Sequence, residues 1–281
     1  MAGFLDRLLG KKPPASPPRD VEALWGPLCV PALHLLKDSG HSRSHFGGVP
    51  NLPPGTEWPA HKGRRLDFLA RLSLAELRSA QRVDWLPATG ALLFFYDLEQ
   101  QPWGYDPAHR GGAVVMHVAD LDGPPAERDR DDEGMAVAMP HRNLTFRSIR
   151  TGPPDDRDAI RALKLTEEEM DALSELEEAE FQGQPRHQVG GYPLPVQGSD
   201  MGLDCQLVTH GLYCGDASGY EDARAAELSK GAEDWQLLLQ FDTDDDLDVM
   251  WGDAGMIYFW VQREAARRND FSKAWLILQC C

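Results

Sequence analysis

The sequence predicts an α+β protein: two tandem, pseudo-duplicated strand-rich units joined by an acidic helix. Three observations predict it. A glycine-rich leader followed by three apolar runs occurs twice in the same order. Each run has five to seven residues rich in aliphatic and aromatic types, which suits buried strands better than helices. A capped acidic segment stands between the two sets. With 281 residues, 42% of them hydrophobic, the chain is long enough to bury a substantial core.

Residues 1–20 read as a flexible tail that includes the proline-rich stretch Pro13–Pro18. Phe4, Leu5, Leu8 and Leu9 make a short apolar stripe beside Lys11 and Lys12, too short for firm membrane anchoring. Residues 21–281 read as a single α+β domain. No run of about 18 apolar residues occurs and no secretory pattern opens the chain, so the expectation is a cytoplasmic protein without stable membrane association.

The first repeat, 44–118, carries GGVP at Gly47–Pro50, LDFLARL at Leu66–Leu72, GALLFFY at Gly90–Tyr96 and AVVMHV at Ala113–Val118. Ser73 is placed to cap a helix, with Glu76 at the capping-box spacing. The linker, 119–186, opens with a charged, proline-bearing loop at Gly123–Glu133. Met135–Met139 and Leu144–Arg150 read as added strands. Thr166 and Glu169 form a second capping box ahead of an amphipathic helix on which Met170, Leu173 and Leu176 supply the apolar stripe. The second repeat, 187–281, carries GGYP at Gly190–Pro193, WQLLLQF at Trp235–Phe241, GMIYFWV at Gly255–Val261 and WLILQC at Trp275–Cys280. Residues 202–230 are an insertion of helical composition, and the acidic loop DTDDDLD takes the place of the Ser73 helix.

The formal net charge is −17. It is unevenly spread: residues 1–118 hold 13 basic and 11 acidic side chains, and residues 119–281 hold 15 and 34. Same-sign repulsion argues against nucleic acid, most firmly for the C-terminal portion. A basic protein partner is the better match, approaching Glu167, Glu168, Asp244, Asp245 and Asp246. A small molecule is the other candidate ligand, with His187, Gln188, Gln197, Gln240 and Asp253 as its contacts. Glycines at 190 and 191 allow close backbone approach, and amide side chains beside them can orient a ligand.

No catalytic signature stands out. The alternating aspartates Asp242, Asp244, Asp246 and Asp248 open like a calcium loop, but Leu247 occupies the position that needs glycine, so a solvated loop is expected. WGDAG at Trp251–Gly255 suits a tight turn. His41 and His45 have helical metal-ligand spacing in a glycine-rich stretch unfit for a helix. The five cysteines, Cys29, Cys205, Cys214, Cys280 and Cys281, contain no CxxC pair and read as free thiols. No cofactor and no metal are expected.

Four motifs occur together and in order: SHFGGVPNLPPGTEWP at Ser44–Pro59, HQVGGYPLPVQG at His187–Gly198, LLLQFD at Leu237–Asp242 and WGDAGMIYFW at Trp251–Trp260. In these the chain resembles the YwqG-like family of bacterial proteins, a domain of unknown function. The resemblance covers Ser44–Cys281 and implies a cytosolic bacterial α+β protein, with an immunity role loosely attached and no reaction. Arg71 stands in the first repeat where the second has Gln240 and the family often has glutamine. The expected function is a non-enzymatic protein-binding, immunity-like or regulatory module. The alternative is a small-ligand protein, or an enzyme, with a cleft between the repeats.

Overall fold

The computed structural model describes residues 19–119 and 139–281. The six apolar runs all become strands of one ten-stranded antiparallel sheet. The N-terminal half supplies β1 (Val30–Asp38), β2 (His45–Phe46), β5 (Asp67–Ser73), β6 (Ala91–Tyr96) and β7 (Ala113–Val118), while β3 (Ala60–His61) and β4 (Arg64–Arg65) form a separate ribbon. The C-terminal half supplies β8 (Arg142–Thr151), β9 (Gln188–Val189), β10 (Trp235–Asp242), β11 (Met256–Gln262) and β12 (Trp275–Gln279). Helices α1 (Val21–Trp25), α2 (Leu74–Ala80), α3 (Asp158–Arg161), α4 (Glu167–Phe181), α5 (Met201–Thr209), α6 (Ser218–Glu221), α7 (Ala225–Leu228) and α8 (Arg263–Arg267) lie between them or at their ends.

The strand order runs outward from a central β1–β8 pair: β9-β10-β11-β12 on one side, β2-β5-β6-β7 on the other. Each central strand therefore neighbours the opposite half of the chain, β1 pairing with β9 and β8 with β2. The register slips by one residue at Phe68/Ala70 in β5 and at Leu237/Leu239 in β10, and such bulges sharpen twist. The sheet curls until its edge strands β7 and β12 touch.

Strands β5, β6 and β12 are buried at every residue, because both faces of the sheet are covered. That is why β6 and β12 up to Leu278 are continuous apolar runs rather than alternating ones, and why the polar Asp67, Arg71 and Ser73 of β5 are buried with their apolar neighbours. The inner face joins both halves in one core, where Phe46 stacks on Phe241 with ring centroids 4.4 Å apart. Outside, α5 covers the C-terminal strands, and Leu52 and Trp58 pack on β5 and β6. Trp25, Ile160 and Leu173 hold α1, α3 and α4 together, and Phe181 seats α4 on Ala32 of β1 and Ile149 of β8.

The central strand β1 was not expected. Its apolar residues Ala32, Leu33, Leu35 and Leu36 fit either period, and only pairing with β8 along nine residues makes it a strand. Leu144–Arg150 lies within β8. The insertion is helical, as α5 to α7. Helix α4 has its full capping box at Thr166 and Glu169. At α2, Ser73 accepts from the Glu76 N–H, but the Glu76 carboxylate turns away to Ser42, the Arg43 N–H and Ser44. The Gly123–Glu133 loop, residues 135–138 of the strand expected at Met135–Met139 and residues 1–18 of the tail lie outside the described residues.

Asp204 in α5 is buried beneath the Tyr220 hydroxyl, which donates to it at 2.6 Å. Burial raises its pKa to about 6 despite that bond. Its contribution to stability is full below the ordinary carboxylate range and is lost as pH rises through 6. Asp204→Asn keeps an acceptor for Tyr220 and removes this loss. Denaturant titrations should find the variant more stable than wild type by about 2 kcal/mol at pH 8, and not at pH 4. An equal difference at both pH values refutes this account.

Candidate functional site

Four of the five residues nominated from sequence for a small ligand converge on one feature, the segment Gly190–Gly198. Gly190 and Gly191 both have positive φ, 71° and 73°, and turn the chain sharply after the two-residue β9. The segment then crosses the outer ends of the C-terminal strands, where three buried glutamines hold it. Gln188 donates to the carbonyls of Gly190 (3.0 Å) and Tyr192 (2.7 Å). Gln240 accepts from the Leu194 N–H at 2.9 Å and donates to the Arg186 carbonyl. Gln279 accepts from the Val196 and Gln197 N–H groups and donates to the Gly198 carbonyl. Gln197 completes the clasp by donating to the Cys280 carbonyl at 2.8 Å. Backbone that is not part of the sheet thereby satisfies its hydrogen bonds. Among the described residues the Gln188 Oε1 atom alone of these amide groups is buried without a partner.

His187 lies beneath the clasp, fully buried, with its ring edge toward Phe46 and Phe241. Its Nδ1 accepts from the Asp242 N–H at 3.1 Å, so Nε2 carries the proton and donates to Asp244 at 3.0 Å. Burial holds the imidazole below its ordinary pKa, against the pull of Asp244. Both nitrogens are engaged with the chain itself, leaving no lone pair for a substrate proton. Lys37 reaches Asp244 and Asp246, each at 2.7 Å. Burial works to raise Asp244, but bonds from His187 and Lys37 outweigh it and hold the carboxylate at about 2.

The first glycine pair repeats the pattern with other residues. Ser44 accepts from the Ser73 N–H and donates to Glu76, as His187 accepts from Asp242 and donates to Asp244. His45 bonds the Gly47 carbonyl through Nδ1, as Gln188 bonds Gly190. Burial and the neighbouring His141 lower His45 to about 4.

Asp253 is separate from the clasp. It is exposed in a turn whose neighbours Gly252 and Ala254 both have positive φ. Of the acidic residues nominated for a partner, Glu167 and Glu168 are exposed in the first turn of α4 and Asp245 in the loop after β10. Asp244 is buried, and Asp246 pairs with Lys37. Lys37 and Gln279 were missed from sequence. Gln279 carried a readable signal, a lone amide closing the apolar run Trp275–Leu278.

Two surface concavities flank the clasp. A pocket of about 230 Å³ is lined by Asp155, Leu173, Glu177, Glu178, Arg186 and Pro193–Pro195. A groove of about 730 Å³ opens on the other side of Pro193, toward Trp85, Trp260 and Arg263. Among the described residues no three His, Cys, Asp or Glu side chains cluster as metal ligands.

Fold and site together define an α+β protein on one large antiparallel sheet, whose conspicuous polar residues hold a surface segment of the chain in place. The chain belongs to the family described as a domain of unknown function (DUF1963), which matches residues 44–280. The match leaves out β1, although that strand sits at the centre of the sheet. No curated protein matches the chain.

Proposed function

We propose that this protein is a non-enzymatic, regulatory or immunity-like binding module of the bacterial cytoplasm, and that its partner is a basic protein. One observation carries the reading. Glu177 stands half-buried in the 230 Å³ pocket among Met170, Leu173 and Pro193–Pro195, with no ion-pair partner among the described residues. Burial, then the charge of Asp155, raises it to about 7. Arg186, the one cation of the pocket, pairs with Glu178 at 3.4 Å. A lysine or arginine from a partner has an aliphatic stem to fit the apolar wall and a charge to satisfy Glu177. Glu168, Asp171, Glu175 and Glu178 are exposed at helical spacing along α4 and extend the acidic approach.

An entering cation lowers the pKa of Glu177 and expels its proton. Titration of the protein with hexa-arginine at pH 7, in buffers of differing ionisation heat, should therefore show proton release. Glu177→Gln should weaken binding by about tenfold, one ion-paired hydrogen bond's worth, and abolish the release. Unchanged affinity and proton release in the variant refute the reading.

The two halves are further inferred to be copies of one unit, linked by α4. The symmetric strand order about β1–β8 and the matching bulges in β5 and β10 support this. The YwqG-like resemblance belongs to the same proposal.

A further inference from the structure

The 730 Å³ groove carries charges that the clasp and the acidic pocket do not explain. Its apolar surface comes from Pro31, Trp85, Tyr192, Pro193 and Trp260, so residues of both halves of the chain line it. Most of its charges are already matched. Arg157 pairs with Asp200 at 3.1 Å, Arg267 with Glu264 at 2.7 Å, and Asp84 with Arg82. Two remain without an ion-pair partner among the described residues: Arg263, whose guanidinium bonds only the neutral amide oxygen of Gln236 at 3.1 Å, and Glu233, exposed at the rim. Gln236 joins them, since its amide nitrogen donates to the Glu233 carbonyl at 3.3 Å.

An apolar groove bearing one unmatched cation and one unmatched anion complements a molecule with both charges and an apolar body. A simple anion meets Glu233 unfavourably and a simple amine meets Arg263 so. The volume lies in the range of small-ligand sites and exceeds what a single amino acid fills. From this juxtaposition we infer that the groove binds short zwitterionic peptides with apolar side chains, the carboxylate at Arg263 and the ammonium at Glu233. This site is independent of the one at Glu177 and goes beyond it.

Isothermal titration with L-leucyl-L-phenylalanine, its N-acetyl form and its C-terminal amide tests the assignment. The free dipeptide should bind at least tenfold more tightly than either capped form. Arg263→Met should abolish discrimination against the amide while leaving that against the acetyl form, and Glu233→Gln should do the reverse. Both side chains are exposed, so the variants are expected to fold, which thermal melts check. Equal binding of the three peptides, discrimination that survives the substitutions, or no binding of any of them overturns the inference.

Discussion

Asp244→Ala is expected to lower the stability of the protein by about 3–5 kcal/mol, among the largest effects of any single side-chain truncation here. Asp244 is 4% exposed and receives both the Lys37 ammonium and the His187 N–H. Its removal leaves a buried imidazole donor without its acceptor, and an ammonium, 17% exposed, with only the solvent-exposed Asp246 for a partner. A buried donor left unpaired and a charge left with one solvent-exposed partner cost more than the pair itself contributes. Lys37→Met added to Asp244→Ala should recover part of the loss, because the stranded charge is then gone.

The pH dependence of this effect has a definite sign. Asp244 is held at about 2, below the ordinary carboxylate range, so its contribution is full above about pH 4 and is lost as pH falls through 2. The gap between wild type and Asp244→Ala in urea titrations should be constant from pH 7 to pH 5 and narrow toward pH 2. A loss below 1 kcal/mol at pH 7 means the network is not the anchor of the clasp.

Gly191→Ala is expected to cost about 3–4 kcal/mol, and Gly190→Ala only 1–2. The two glycines are adjacent and share nearly the same φ, so the backbone penalty for a left-handed alanine is common to both. They differ in surroundings. A Cβ on Gly190 meets nothing within 4 Å, whereas one on Gly191 lies 2.3 Å from Thr151 Oγ1 and 2.7 Å from Ala32 Cβ. The Thr151 hydroxyl accepts from the Tyr192 N–H, so its displacement also costs the first hydrogen bond of the clasped segment. Equal costs for the two variants, measured by denaturant unfolding, dismiss the close-approach argument.

The six apolar runs were legible because strands covered largely on both faces leave few positions for polar side chains to interrupt them. The caps at Ser73 and Thr166 were legible because capping is local. The clasp was legible only in part. His187, Gln188, Gln197 and Gln240 stand out in the sequence as candidate ligand contacts, but their partners in the fold are backbone groups of Arg186, Gly190, Tyr192, Leu194, Asp242 and Cys280 and the Asp244 carboxylate. Sequence spacing does not say whether an amide faces a ligand or its own chain. Lys37 lies 207 positions from Asp244, and no local pattern connects them.

By itself, then, the sequence determined the strand-forming runs, the capped acidic helix, the two glycine turns and the concentration of negative charge after residue 118. Each follows from the composition of a short window. The tertiary structure decided that β1 is central, that each central strand pairs with the opposite half, and that the conspicuous amides face inward. It also decided which carboxylates are exposed and which of the groove's charges lack partners. These depend on which distant segments meet when a curled sheet closes on one core, and that is set by long-range pairing and burial rather than by neighbours in the chain.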